Sequence, residues 1–228
     1  DEIYFLGGEP SPKSSFINPF RTIKSNVLPV YNILEILRTT ERKTKLFNAS
    51  SCEIFKESKK KLNLLSKKKP SSPYGLSKLI SYELVKLYRE KFNIKCCSGV
   101  SFHHESPLRK KNYLLRKIVI SAKKIYEDKL DRVEFGNLKV TKDWGWAPEY
   151  VEIMHKMLQR KKLKDYIIAT GKSVSAIYAI KKCFNFYNLN WKKYVFFNKN
   201  LLRPKDILFS KADNSQTIQD LKWKPRNT

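Results

Sequence analysis

The chain has 228 residues, 41% of them hydrophobic and 13% aromatic, which is ample for a packed α/β core and too apolar for a disordered chain. A formal charge of +26 comes from 47 basic against 21 acidic residues, but only ten of the basic residues are arginines, and the lysines are scattered in short runs such as Lys59–Lys61 and Lys67–Lys69. That pattern reads as solvated lysines, so no nucleic-acid partner is expected; a nucleic-acid-binding surface, which leans on arginine and interleaved aromatics, is the alternative that charge alone supports.

Taken in chain order, Ile3–Leu6 reads as a strand and residues 7–19 as a loop. A helix follows through Val27, Tyr31, Leu34 and Leu37, with Pro29 as a candidate kink. Lys45–Ala49 is a strand that ends where Ser50, Ser51 and Glu53 appear, and ligands of α/β sheets gather at such carboxyl ends. Lysine-rich 56–69 is a loop closed by Pro70 and Pro73. A helix then runs from Tyr74 to about Phe92, apolar at Leu79, Tyr82, Leu84, Val85 and Tyr88. Ile94–Phe102 is a strand delivering His103–Glu105 to the same end of the sheet. Beyond Pro107 the pattern changes to scattered helices, with Leu114–Tyr126 and Tyr150–Leu158 the clearest, and short strands. Alternating strands and helices predict an α/β fold.

Cys52, Cys96, Cys97 and Cys183 form no Cys-x-x-Cys, and an adjacent pair makes a poor staple, so they read as buried thiols in a reducing compartment. His103, His104 and His155 lack zinc-ligand spacing with any of them, and no metal is expected. No apolar run approaches the roughly 18 residues of a membrane span and no leader is recognisable, so a cytoplasmic protein without membrane contact is expected.

The most informative run is Ser71-Ser-Pro-Tyr-Gly-Leu-Ser-Lys78. It places Tyr74 and Lys78 one helical turn apart on one face, where an ammonium favours a phenolate and lets a tyrosine act as a base. Upstream stands Asn48-Ala-Ser-Ser-Cys-Glu53 and downstream Phe102-His-His-Glu-Ser-Pro-Leu-Arg109. Lys142-Asp-Trp-Gly145, Ile168-Ala-Thr-Gly171, Arg203-Pro and Trp223-Lys-Pro-Arg226 follow in order. Together these motifs resemble the GDP-mannose 4,6-dehydratases, extended short-chain dehydrogenase/reductases of the NAD-dependent epimerase/dehydratase family, over the whole chain.

The resemblance implies a Rossmann-like doubly wound parallel sheet lacking its first strands, plus a smaller C-terminal α/β substrate-binding part. Residues 1–107 would hold the dinucleotide-binding portion with Tyr74 and Lys78, and 108–228 most of the sugar-nucleotide-binding part. It implies NADP-dependent conversion of GDP-mannose to GDP-4-keto-6-deoxymannose, a hydro-lyase step toward GDP-fucose. Tyr74 would take the C4 hydroxyl proton, Ser51 would hydrogen-bond that hydroxyl, Lys78 would depress the Tyr74 pKa, and Glu53 would take the C5 proton. Tyr74, Lys78, His104 and Arg109 would bind cofactor, while His103, Lys117, Lys142, Arg203 and Asp206 would bind substrate. A homo-oligomer, dimeric through the Tyr74 helix and the helix before it, is implied as well.

Departures accompany the matches. The seven glycines include no closely spaced set after a strand, so the cradle for a dinucleotide pyrophosphate is not in this chain. The expectation is an N-terminally truncated protein that binds NADP weakly and whose first strand forms a sheet edge. Gly7-Gly-Glu-Pro10, His103 and Trp146 stand where the family has Ala-Ala-Gln-Ser, asparagine, and histidine or tyrosine, and 56–69 has become basic. A non-catalytic remnant or sugar-nucleotide scaffold remains open beside the enzyme. Taken singly, Ser51 is equally a turn cap.

Overall fold

Leu46 and Phe47 are both fully buried, yet they lie in different cores, because successive residues of a strand point to opposite faces. They belong to β2 (Lys45–Ser51) of a computed structural model that describes residues 1–40, 43–202 and 204–227. The elements before and after it are β1 (Glu2–Phe5), α1 (Pro12–Ile17), α2 (Pro19–Thr39), a 3-10 turn (Cys52–Ile54), α3 (Pro73–Lys91), β3 (Cys96–Ser101), β4 (His103–Glu105) and α4 (Leu114–Tyr126). Then come β5 (Val133–Phe135), β6 (Thr141–Lys142), β7 (Trp144–Trp146), α5 (Ala147–Leu158), β8 (Tyr166–Ile168), β9 (Val174–Ser175) and α6 (Ala176–Phe186). The chain closes with α7 (Trp191–Tyr194), β10 (Val195–Phe197), β11 (Phe209–Ser210) and α8 (Ser215–Leu221).

The main sheet has the order β1-β2-β3-β8, and every pairing in it is parallel. Leu46 and Cys96 pack with Val30, Leu34 and Leu37 of α2 and Val85 and Tyr88 of α3. On the other face Phe47 and Cys97 pack with Tyr150, Ile153, Met154 and Met157 of α5, Leu221 of α8 and Trp223. Helices therefore cover both faces, as a parallel sheet requires. The adjacent cysteines are explained by the same alternation: Cys96 and Cys97 enter opposite cores as free thiols. Cys52 is buried too, whereas Cys183 is only half-buried. Gly99 is needed in β3, because a Cβ there would lie 2.6 Å from both Ile168 and Phe47 side-chain carbons.

A buried fork fixes the register of the sheet's outer half. Arg89 of α3 donates to both Asp165 carboxylate oxygens, at 2.8 and 2.6 Å, and Asp165 also accepts the Ser98 amide at 2.7 Å. A second lobe is built on Ile118, Ala122 and Ile125 of α4, Ile180 and Phe184 of α6, and the β5–β10 pair. Among the described residues no helix is long and apolar enough to cross a membrane.

Several sequence expectations change in detail. The loop of 7–19 contains α1, because the Ser11 side chain accepts the Ser14 amide at 3.3 Å and Pro12 opens the helix with its φ already set. α2 runs unbroken through Pro29, held on both sides of it by Asn26, Val30 and Leu34 in the core. The strand of 94–102 ends at Ser101, and His103–Glu105 forms a separate ladder with β7. β8, α5 and α8, all beyond residue 107, complete the main sheet rather than the second lobe. As expected, β1 lies at an edge of the main sheet.

Candidate active site

The carboxyl end of β2 and the first turn of α3 meet through backbone contact. At the end of β2 the Ser51 hydroxyl accepts the Glu53 amide at 3.3 Å and starts the 3-10 turn, so the capping role open to it is real. α3 starts on Ser72, whose side chain accepts the Gly75 amide at 3.0 Å, with Pro73 in the first turn. Gly75 lies so close to the turn that a Cβ would stand 2.5 Å from the Glu53 carbonyl oxygen. This close approach brings Tyr74 beside Ser51 and Glu53.

The rest of α3 is held by a polar clamp to α2. Asn26 Nδ2 donates to Ser77 Oγ at 2.8 Å and to the Glu9 carbonyl at 3.2 Å, and Ser81 Oγ donates to the Asn26 carbonyl at 2.8 Å. Lys78, next to Ser77, is 7% exposed and sends its Nζ to the Ala49 carbonyl at 3.0 Å. The clamp, the serine cap and the glycine contact together set where Tyr74 and Lys78 point.

The electrostatics correct one expectation. Burial raises the Tyr74 phenol well above its ordinary pKa; the Ser51 hydroxyl, bonded to the phenol, opposes that, and nearby Glu53 reinforces it. Lys78 Nζ is 5.9 Å from the Tyr74 ring centroid and committed to Ala49, so it does not overcome the burial. Burial acts on Lys78 as well, lowering its pKa to about 8. The pair is thus a neutral phenol beside an ammonium that sheds its proton easily.

Lys142, 8% exposed, is drawn into the same neighbourhood. It pairs with Ser210 in the β6–β11 ladder, Ser210 Oγ lies 3.4 Å from the Cys52 sulfur, and the Lys142 charge acts on that thiol. Burial nonetheless pushes Cys52 up to about 12, so it is an inert thiol at neutral pH. His103 and His104 lie on β4 against β7, with His103 edge-on to Trp144 at 6.3 Å. His104 Nδ1 bonds the Phe102 carbonyl at 3.0 Å, its ring packs on Tyr150 at 5.0 Å, and burial lowers its pKa, favouring neutral imidazole.

Other expected residues are engaged elsewhere. Arg109 lies 3.8 Å from Glu105 and 3.8 Å above the Tyr113 ring. Lys117 donates to the Glu134 carbonyl and sits 4.9 Å from the Phe135 ring centroid, facing the second lobe. Asp206 is half-buried in the segment leading into β11, and Arg203 lies outside the described residues. Pairing and stacking thus claim Arg109 and Lys117, whereas Lys142, through Ser210 and Cys52, adjoins the Ser51–Glu53–Tyr74–Lys78 group.

Three neighbours escaped the sequence reading. Tyr113 acts electrostatically on Tyr74, and its only local signal is its position four residues after Arg109. Asp143, fully buried, accepts Thr170 N, Thr170 Oγ1 and Gly171 N at 2.8–2.9 Å and ties the end of β8 to the β6–β7 segment. Burial still pushes its carboxyl up to about 6. The Cys52–Ser210 contact spans 158 residues and has no local signature. Ser50 Oγ and Ser101 Oγ, at the carboxyl ends of β2 and β3, are buried without a hydrogen-bond partner among the described residues.

A family model for GDP-mannose 4,6 dehydratase matches residues 1–228. The chain belongs to the GDP-mannose 4,6-dehydratase family. It is 32% identical to GDP-mannose 4,6 dehydratase 1 of Arabidopsis thaliana over 230 residues, covering 99% of this chain and 64% of the relative. The Drosophila melanogaster enzyme is also 32% identical, covering 100% of this chain and 62% of its own length, and the Homo sapiens enzyme 32%, covering 99% and 66%. The chain thus spans a little under two thirds of the length of these relatives. Among solved structures, RMD from Pseudomonas aeruginosa complexed with NADPH superposes with a TM-score of 0.90 at 17% identity, covering 100% of this chain and 77% of that one. MoeE5 in complex with UDP-glucose and NAD gives 0.88 at 16%, covering 100% and 74%. At such identities these two likenesses establish the Rossmann-like fold.

Proposed function

We propose that the chain carries the catalytic and sugar-nucleotide-binding portions of a GDP-mannose 4,6-dehydratase, a hydro-lyase that forms GDP-4-keto-6-deoxymannose. The supporting observation is the convergence of Ser51, Glu53, Tyr74 and Lys78 where β2 meets α3, at the carboxyl end of a parallel sheet. The phenol of Tyr74 first releases its proton to solvent; the phenolate, stabilised by the Lys78 ammonium, then takes the proton of the sugar C4 hydroxyl, and the Ser51 hydroxyl bonded to it orients that exchange. Glu53 takes the C5 proton, which a C4 ketone makes acidic, and helps the C6 hydroxyl leave as water.

A nicotinamide cofactor, NADP in this reading, supplies hydride acceptance and return when bound. Its reactive end fits the residues present: the Lys78 ammonium, 5.9 Å from the Tyr74 ring centroid, offers hydrogen bonds beside the phenol. The pyrophosphate end finds no glycine cradle among the 228 residues. His104 and Arg109 shape the adjoining wall. For the substrate, Lys142 and Arg203 offer cations to the GDP phosphates, Asp206 faces the nucleoside sugar, and Lys117 and His103 border the pocket. Lys117 must leave the Glu134 carbonyl to take part.

Residues 1–107 carry most of the dinucleotide side, completed by β8, α5 and α8, and the rest of 108–228 the sugar-nucleotide side. Homodimerisation through α2 and α3 is supported by the exposed apolar side chains Phe20, Leu28, Tyr31, Leu76 and Leu87 on those helices. The buried free thiols fit a reducing cytoplasm, on the way to GDP-fucose. A scaffold that binds sugar nucleotides without turnover is the competing reading.

The test is turnover of GDP-mannose with NADP, scored by the appearance of a product lighter by one water. Tyr74→Phe and Glu53→Gln should each abolish it while sparing GDP-mannose binding. Wild-type protein that binds both GDP-mannose and NADP but never turns the sugar nucleotide over selects the scaffold. An active Glu53→Gln protein moves the elimination role to another residue.

A further inference from the structure

The β6–β11 ladder has two faces, and only one belongs to the site above. Paired residues of a ladder point to the same side, so Lys142 and Ser210 face Cys52. Phe209, paired with Thr141, projects from the opposite side, and Lys211, two residues on, shares that side. Lys211 Nζ lies 5.8 Å from the Phe209 ring centroid. Lys59, from the lysine-rich loop and 150 positions upstream, brings its own Nζ to 5.8 Å from the same centroid.

The loop carrying Lys59 is tied down. Leu62 N donates to the Lys211 carbonyl at 2.8 Å, and Asp213 N returns a bond to the Leu62 carbonyl at 2.9 Å. Glu57 Oε1 accepts the Leu208 and Phe209 amides at 2.6 and 3.3 Å. Loop and ladder thus form a rigid lip. Lys60 and Lys61 follow Lys59 on the loop; the acidic groups beside them are Glu57, occupied by those two amides, and Asp213, occupied by the Ser215 amide and hydroxyl. None of the ion pairs among the described residues involves Lys59 or Lys211.

Two ammonium groups from distant parts of the chain, each 5.8 Å from the Phe209 ring centroid, concentrate positive potential at one place, which a bound anion would relieve. Each is attracted to the ring face, but that attraction is weak at an exposed site and does not account for the pair. We propose that Lys59 and Lys211, with Phe209 as their floor, form a second anion site on the outer face of the β6–β11 ladder. Its ligand is a diphosphate-class anion, free or carried on a nucleoside. A compact dianion can accept hydrogen bonds from both ammonium groups beside the ring, and the ring excludes water from one side.

The probe is inorganic pyrophosphate, titrated calorimetrically at low salt, with GDP as a second arm. The Lys59→Gln/Lys211→Gln double variant should bind pyrophosphate at least tenfold more weakly than wild type. Lys192→Gln/Lys193→Gln, which removes the same charge at two exposed lysines of α7, should change it less than twofold. Lys142→Gln should leave the lip event in place, because that side chain is on the other face. Competition of GDP with pyrophosphate for the lip identifies a nucleotide as the source; its absence identifies the free anion. Equal losses in the two double variants, or loss of all pyrophosphate binding in Lys142→Gln, would overturn the proposal. Failure of GDP-mannose binding alone would count against the dehydratase reading and leave the pyrophosphate result intact.

Discussion

Lys78→Met isolates the electrostatic term at the centre of the site. Burial takes the Lys78 pKa from 10.5 to about 8. That difference of about 2.5 units, at 1.36 kcal/mol each, means that holding the ammonium in the folded protein costs about 3 kcal/mol. The folded state binds fewer protons than the unfolded state between pH 8 and 10.5, so stability rises with pH across that window. Below pH 8 both states are protonated, the cost is fully present, and the dependence is flat. Methionine fills similar volume without a charge. Wild type should therefore gain about 3 kcal/mol relative to Lys78→Met between pH 8 and 10.5, and nothing between pH 7 and 8. At neutral pH the variant loses a charged hydrogen bond to Ala49, of about 1.5–3 kcal/mol, so its stability should lie within about 2 kcal/mol of wild type. Urea titrations at stepped pH, followed by far-ultraviolet circular dichroism, measure both. Parallel pH curves for the two proteins would refute the claim that burial, uncompensated by a carboxylate, governs this lysine.

Gly75→Ala places a methyl 2.5 Å from the Glu53 carbonyl and forces the turn and helix apart; it should cost about 1–3 kcal/mol, and any turnover should fall by about 100-fold for a shift approaching 1 Å. Thermal melts and rate assays on one preparation check both halves. Asp165→Ala leaves the Arg89 guanidinium buried without its fork and strands the Ser98 amide, so a loss of about 3–5 kcal/mol is expected in chemical denaturation. A loss under 1 kcal/mol would mean that Arg89 finds solvent.

Much of the scaffold was legible in local pattern. Leu114–Tyr126 is helical with the bounds its periodicity gives, and the Tyr74 helix ends within a residue of expectation. The alternation around Leu46–Phe47 and Cys96–Cys97 carries the two-sided sheet. What local pattern could not give were contacts between distant segments. The interruption after Ser101 depends on a ladder with Trp144–Trp146, and α1 rests on a single serine cap in a stretch without apolar periodicity. The resemblance grouped Ser51, Glu53, Tyr74 and Lys78, which lie side by side where β2 meets α3. The four-residue interval predicted a lowered Tyr74 pKa and missed the opposite shift, because burial is a property of the whole packing around α3. The lip at Phe209 is likewise invisible in sequence, since Lys59 and Lys211 meet only through the Leu62 and Glu57 hydrogen bonds.

The most direct test of the account is a GDP-mannose titration of wild type and Lys142→Gln across a salt series. If the inner face of the β6–β11 ladder and the end of β2 form a sugar-nucleotide site, wild type should bind saturably and retain most of its affinity at physiological salt, where screening operates over about 8 Å. Lys142→Gln should weaken binding about tenfold or more, by removing a buried charged hydrogen bond. Absence of saturable GDP-mannose binding, or binding equally strong in Lys142→Gln and lost as salt rises, would contradict the assignment of this site.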